Sequence, residues 1–297
     1  MLTKSQKGKI LKLVQTGIQK QEIAKLLKIS ATTITSLLAT RIRTMVVADS
    51  HCGHVAGLTP PKWHQRFSEF YPQQVEMWDW YSSKCKELKP DTVLALGDLI
   101  DGKGKLSGGT EQITTSIKEQ LKMAECCIQE ADANEVIGVY GTPYHVGMDE
   151  DYESFIKNVK MTGHDFPLVH GIQFDIKHKI GVSSIPHGRY TALAKSRMWN
   201  QLWNDIEGQP KADIVIRAHT HYFEYCGNNR YLAMICPALS GWGSKFGVRQ
   251  CEGIVNTGLI WFDIYDGTDL SNLQWRFDVP SLETQKVLPY RITKKEK

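Results

Sequence analysis

No apolar run of about 18 residues, the length a membrane-spanning helix needs, occurs in the sequence, so no membrane partner is expected. The seven cysteines (52, 85, 126, 127, 226, 236, 251) contain no Cys-x-x-Cys pair, and their odd number fits a complete disulfide framework poorly. Reduced thiols and a cytoplasmic setting are the expectation. No secretory pattern opens the chain, because Met1-Leu2-Thr3-Lys4 runs into a charged amphipathic stretch. The P-loop is missing as well: the glycine-rich basic stretch 103–110 holds no Gly-Lys-Ser/Thr and reads as a loop. Repeats and low-complexity segments are absent. With 41% hydrophobic and 23% charged residues over 297 positions, the composition is that of a globular protein with a real core and room for two domains.

Acidic residues are scarce at the start. Residues 1–43 carry nine Lys and Arg against one acid, Glu22, while the net charge of the whole chain is only +4. Ile10, Leu11, Leu13 and Val14 recur at helical spacing before Thr16-Gly17 interrupts them. A second helix follows from Lys20 to Leu27. Lys28-Ile29 makes a turn, and Ser30 offers a capping hydroxyl for a third helix through Leu38. The stretch from Gln21 to Ile34 resembles a helix-turn-helix, with Ala24 as the small residue that lets the third helix approach and Ile29 as the apolar turn residue. That resemblance implies a DNA-binding module over residues 1–39, with Thr32, Thr33 and Ser36 facing a groove. A three-helix protein-docking or oligomerisation unit is the alternative.

From Met45 the pattern changes to strands alternating with helical stretches. Met45–Ala48, Thr92–Leu96, Glu135–Tyr140 and Asp213–Arg217 read as buried strands, Trp63–Leu88 and 111–131 as helices, and 173–184 as a hairpin. The expected fold over residues 44–297 is α/β, a mixed sheet layered with helices. Four of these strands run into metal-ligand residue types: Asp49-Ser50-His51, Gly97-Asp98, Gly141-Thr142-Pro143-Tyr144-His145, and Ala218-His219-Thr220-His221. Open α/β sheets place their sites at the carboxyl ends of strands, so four strands would deliver carboxylates and imidazoles to one edge.

These motifs, in this order over about residues 44–223, resemble those of the calcineurin-like metallophosphoesterase family: D-x-H, G-D, G-N-H-[D/E], a lone H, then G-H-x-H. The resemblance implies an αββα sandwich of mixed sheets, with Asp49, His51 and His221 holding one metal. It also implies that Asp98 bridges two ions and that His219 binds the second. For the lone histidine, His187, in Ser183-Ser184-Ile185-Pro186-His187, is preferred to His164, His170 and His178, of which His170 and His178 are expected at the surface. His145 matches the catalytic histidine of the family. The family asparagine has no counterpart, and Thr142, a backbone carbonyl or water stands in its place. The longer third motif, together with the N-terminal helices, resembles phosphoesterases of bacteriophages.

The reaction explains these residue types. Two divalent ions about 3.5 to 4 Å apart clamp a phosphoryl group and lower the pKa of a bound water, and a bridging carboxylate suits that spacing. Oxygen and imidazole ligands without thiolates favour Mn²⁺, with Fe, Zn²⁺, Mg²⁺ and Ni²⁺ as alternatives. His145 is suited to protonate a leaving alkoxide. Cys52 reads as a packed thiol, and Trp199 and Trp203 as core. The implied activity is metal-dependent phosphodiester hydrolysis on DNA or another nucleic acid. The alternatives are a phosphomonoesterase, or a DNA-binding regulator whose phosphoesterase domain is degenerate; the oligomeric state is left open.

Overall fold

The aliphatic runs Met45-Val46-Val47, Val93-Leu94-Ala95 and Ile214-Val215-Ile216 are buried on both faces, as central strands of parallel sheets are. They anchor two mixed sheets in a computed structural model that describes residues 2–105, 107–148, 150–183, 185–244, 248 and 255–286. The first sheet is built from β1 (Ile42–Val47), β2 (Thr92–Ala95), β3 (Glu135–Val139), β4 (Lys160–Thr162), β10 (Leu259–Ile264) and β11 (Gln274–Asp278), in the order β11-β10-β1-β2-β3-β4. The second contains β5 (Leu168–Val169), β6 (Ile172–Ile176), β7 (Ile214–Arg217), β8 (Glu224–Asn228) and β9 (Tyr231–Ile235), in the order β5-β6-β7-β9-β8. β1 to β4 run parallel, as do β6, β7 and β9.

The two sheets face each other across a core of Val46, Leu94, Phe174, Ile216, Met234 and Phe262, in which the Phe174 and Phe262 rings meet edge to face at 5.4 Å. Helices α4 (Tyr71–Leu88) and α5 (Ile117–Glu130) cover the outer face of the first sheet, burying Met77, Tyr81 and Met123 against Met45 and Val93. Helix α7 (Pro186–Asp205) covers the second sheet through Leu193, which packs with Val215 and Ala233. Layering of helix, sheet, sheet and helix results, each apolar face finding a partner, at about 1.5 to 3 kcal/mol for each large side chain removed from water.

Three helices precede β1: α1 (Lys4–Gln15), α2 (Lys20–Leu27) and α3 (Ala31–Leu38). They close around their own cluster of Ile10, Leu11, Ile23, Ile34 and Leu37. Lys28 adopts a left-handed φ of 52°, Ile29 N–H donates to Ala24 O at 3.1 Å, and Ser30 Oγ accepts from Thr33 N–H at 3.0 Å. Thr32 and Ser36 are exposed, whereas Thr33 is half-buried and tied to the Ser30 cap. The helices rest on the turn between β10 and β11. Tyr265 packs against their cluster, Lys7 Nζ lies 2.5 Å from Asp266 Oδ2, and Asp266 N–H donates to Thr40 Oγ1 at 3.0 Å.

Three expectations need correction. Residues 173–184 are not a hairpin: β6 pairs antiparallel with the short β5 and parallel with the central strand β7, then leaves the sheet toward α7. The helix expected from Trp63 begins at Tyr71, behind a short 3-10 turn at Pro61–Trp63. Trp199 and Trp203 are not core. They are 48% and 49% exposed, because α7 turns Leu193 and Asn200, not its tryptophans, toward the sheet.

Candidate metal centre and acid-base pair

The two sheets present the ends of β1, β2, β3, β6 and β7 at one pole, and the chain turns sharply there. Asp49 (φ 52°), His51 (42°), Asp98 (48°), His219 (79°) and His221 (57°) all occupy the left-handed region. Non-glycine residues there carry strain of order 1 to 3 kcal/mol each, and such residues cluster at functional sites. Backbone contacts hold the turns: Asp49 N–H donates to Gly97 O at 3.0 Å, His51 N–H to Asp98 O at 2.9 Å, and Ala218 N–H to His178 O at 2.8 Å. Gly141 admits no side chain, since a Cβ would stand 2.0 Å from Asp98 Oδ1.

The side chains gather in sets. Asp49, His51 and His221 form one, Asp98, His178 and His219 a second, and His51, Asp101 and His145 a third, each offering ligand atoms within 4.8 Å of one another. Asp49 Oδ1 lies 3.4 Å from His221 Nε2, 3.9 Å from His51 Nε2 and 4.0 Å from His178 Nε2, so it stands between the first two sets. His178 Nε2 is 3.0 Å from Asp98 Oδ2. The second carboxylate oxygen of Asp49 accepts from His219 N–H at 3.1 Å.

Asp49, His51, Asp98, His219 and His221 therefore meet, as does His145. His187 does not: it is exposed on the second residue of α7, outside all three sets. Its expected place is held by His178, only 2% exposed, whose Nδ1 lies 2.5 Å from Leu96 O. The expected surface position for His178 followed from reading a hairpin. As the residue two beyond β6, it stands where Asp49 stands beyond β1 and His219 beyond β7, and that common offset is the signal in the sequence. Of the other two candidates, His164 pairs with Asp175 at 2.8 Å, and His170 lies exposed with Nε2 2.7 Å from Thr40 O.

Thr142, one of the replacements expected for the family asparagine, turns toward Asp98: its N–H donates to Asp98 Oδ1 at 2.6 Å and its hydroxyl lies 3.2 Å from both Asp98 oxygens. His145 sits on the short helix α6 (Pro143–Val146), with Nδ1 3.2 Å from Asp101 Oδ1 and 3.0 Å from Asp101 O. With Nδ1 engaged, Nε2 is the nitrogen left for a substrate. Asp101, 4% exposed, also meets His51 Nδ1 at 3.0 Å and accepts from Gln112 Nε2 at 2.5 Å. It escaped the sequence reading, although Gly97-Asp98-Leu99-Ile100-Asp101 sets two aspartates one turn of chain apart. Behind the site, fully buried Glu153 accepts from Leu99 N–H at 2.5 Å and Gly141 N–H at 2.9 Å, tying two of the loops together.

The electrostatics are those of carboxylates needing cations. Burial alone would raise Asp49 and Asp98, but His221 and His178 hold Asp49, and His178 holds Asp98, below the usual carboxylate range. Burial opposes a charge on His178, yet Asp98 and Asp49 lift it to about 9. A proton there occupies the position a divalent cation would take. One atom fits such an ion directly: Asp49 Oδ1 is buried and makes no well-directed hydrogen bond, its nearest imidazole nitrogen being His221 Nε2 at 3.4 Å, a costly arrangement for a polar atom unless something binds it. Four imidazoles and two carboxylates, with no thiolate, are a hard to borderline donor set suited to transition-metal dications.

No protein-family model matches the chain, and no curated protein does either. Solved structures resemble it. Vacuolar Protein Sorting 29 from Cryptosporidium parvum aligns over 81% of this chain and 100% of its own at 12% identity and a TM-score of 0.42. An archaeal phosphodiesterase aligns over 80% and 100% at 12% identity and a TM-score of 0.40. Vps29 from Entamoeba histolytica, complexed with Zn²⁺, aligns over 80% and 98% at 17% identity and a TM-score of 0.36. At these scores the likeness carries no argument about function, which rests on the residues themselves.

Two outcomes are expected. In calorimetric titration with Mn²⁺ or Zn²⁺, His178→Ala weakens binding at least 10-fold and His187→Ala leaves it unchanged; the reverse would return the ligand role to His187. The metal-free protein should lose thermal stability between about pH 6 and pH 9. Glu153 is raised from 4.5 to about 8, by burial first and the Asp98 charge second, so the folded state keeps a proton that the unfolded chain gives up as pH rises. His145, lowered by burial but lifted to about 9 by Asp101 and Asp98, contributes stability that is complete below its ordinary value of 6.5 and is lost toward 9. Both effects have the same sign. A rising melting temperature over that range, read by circular dichroism, would contradict the assignment.

Proposed function

We propose that the chain is a two-metal phosphoesterase of the calcineurin-like type, acting on phosphodiester bonds of nucleic acid. The observation that carries this reading is the convergence of Asp49, Asp98, His51, His178, His219 and His221 from four strand ends around two adjoining ligand sets, with both carboxylates almost wholly buried. In this reading Asp49, His51 and His221 hold one ion; Asp98, His178 and His219 hold the other; and the two carboxylates stand between them. Bound there, a pair of divalent ions would polarise phosphoryl oxygens and furnish hydroxide near neutral pH, with Mn²⁺ the first choice.

The chain's own groups supply the rest. Asp101 fixes the ring of His145 and favours its protonated form, so that Nε2 presents a proton to the leaving oxygen. His51, lowered by burial first and by the neighbouring charge of His145 second, stays neutral and available as a ligand. Thr142 and Glu153 keep Asp98 and its loop in place, so little rearrangement is needed when substrate arrives.

The nucleic-acid substrate is supported by the helices at the N-terminus. The turn at Lys28, its contact back to Ala24 and the capped third helix read as a helix-turn-helix, and Lys20, Lys25 and Lys28 are exposed around it. Such a surface suits a phosphate backbone.

The enzyme reading predicts that hydrolysis of bis-p-nitrophenyl phosphate requires Mn²⁺ and falls to background in Asp98→Ala. Asp101→Asn should retain metal but lose roughly 10²- to 10⁴-fold in kcat, the range of a positioned acid-base group. Full activity after chelation, or in Asp98→Ala, would remove the hypothesis; faster turnover of p-nitrophenyl phosphate would shift the substrate to monoesters.

A further inference from the structure

Four aromatic rings form a short row, two rings wide, where the edge strands of the two sheets meet, with Phe277 also 6.5 Å from Tyr225 and 6.2 Å from Trp275. Phe223 stacks on Phe277 at 4.5 Å and lies 5.7 Å from Tyr225; Tyr225 meets Trp275 at 5.0 Å. Trp275 and Phe223 root the row in the core between the sheets, whereas Tyr225 and Phe277 leave 47% and 45% of their surface open. A pure edge plug would bury these rings. Exposed aromatic rings in a row are instead surfaces on which planar groups stack.

The row has a direction. Its upper end is clipped to the metal centre: Asn256 N–H donates to His221 O at 2.8 Å, and Phe223 N–H donates to Asn256 Oδ1 at 2.8 Å. Phe277 pairs through Ile260 with Val46, while Trp275 pairs through Phe262 with Thr44, farther from the site along β1. Counting two strand spacings across and three residues along, the Phe277 backbone is roughly 14 Å from that of Asp49. Below Trp275, the strand emerges from the turn that carries the N-terminal helices, where Asn272 Nδ2 comes within 3.2 Å of the Cβ position of Gly8. The helices lie at the start of β1 and the ligand sets beyond its end, roughly 23 Å apart along the strand. The rings stand between the two, level with Thr44 to Val46 of β1.

We infer that this row is a stacking track for single-stranded nucleic acid, leading from the N-terminal helices to the metal centre. The inference rests on the phosphodiesterase reading of that centre and adds the form of its substrate: an unpaired strand whose bases lie on Tyr225 and Phe277 while the phosphate nearest Phe223 enters the site. Stacking is indifferent to base identity, because every base has a π-face, and each base–ring contact contributes enough to change affinity severalfold or more.

The test uses the full chain with metal chelated, so that binding is read apart from cleavage. Fluorescently labelled oligothymidylate and oligouridylate of about 15 nucleotides, and a duplex of the same length, are titrated by anisotropy. The wild-type protein should bind both single strands, and the Tyr225→Ala/Phe277→Ala double variant should bind them at least 10-fold more weakly, with the duplex little affected. Tyr225→Phe/Phe277→Tyr, which keeps both rings, should stay within about twofold of wild type. Should the double alanine variant fail to fold, Tyr225→Leu alone keeps apolar bulk without a ring and should still lose affinity severalfold. Binding of one strand type and not the other fixes the substrate as DNA or RNA and supports the track equally. Unchanged affinity in the ring-less variants, or an equal loss in the ring-keeping one, would overturn the inference, as would wild-type protein that ignores both oligonucleotides. Hydrolysis of bis-p-nitrophenyl phosphate by the wild-type protein is measured in parallel, as a separate readout of the metal centre. Its absence in wild type would count against the phosphodiesterase reading while leaving the track intact.

Discussion

Two carboxylates, Asp49 and Asp98, are almost entirely removed from solvent at the meeting point of two sheets, and the rest of the pole is arranged around their charge. An uncompensated buried carboxylate is costly enough to protonate or to disrupt its surroundings. Here each is held ionised by imidazoles. The same constraint explains the left-handed backbone at five residues, which turns those side chains inward as the chain leaves a strand, and the glycine at 141, where any larger residue would strike Asp98. It also explains why Glu153, buried beside Asp98, is lifted toward its neutral form while still accepting two backbone N–H groups. Strain and burial of this kind persist only where the fold holds them firmly, and the layered core on both sides of each sheet does so.

Much of this was legible in the residues. The strand-then-ligand pattern located Asp49, His51, Asp98, His145, His219 and His221, because a strand buried on both faces leaves a continuous apolar run and its end is therefore visible. His178 was missed for a related reason. Gln173, Asp175, Lys177 and Lys179 make the segment look like a polar, half-exposed hairpin, yet Asp175 is buried against Arg217 and Asn200, so its polarity marks an internal network and not a surface. Asp101 was missed because its partners, His51 and His145, come from two other loops, and nothing in the linear sequence announces that meeting. The tryptophans of α7 misled in the opposite direction, since helical spacing of large apolar residues does not say which face meets the sheet.

The N-terminal helices and the centre occupy opposite ends of β1, and this geometry limits how they can cooperate. Lys7, Tyr265, Asp266 and Thr40 fasten the helices to the turn between β10 and β11, so their position relative to the sheets follows from packing and not from a tether. On the proposed reading, a nucleic acid held by the helices would have to pass along the sandwich edge to reach the centre. The aromatic row at that edge, rooted in the core and half open outside, is the surface proposed for that passage.

The claim on which all of this depends is that the buried carboxylates and imidazoles gather around a pair of cations. Anomalous diffraction from crystals soaked in Mn²⁺ tests it most directly. The account predicts two adjacent peaks, one against Asp49, His51 and His221 and the other against Asp98, His178 and His219. A map with no peak at this pole, or with metal only at His187 on the surface, would contradict it.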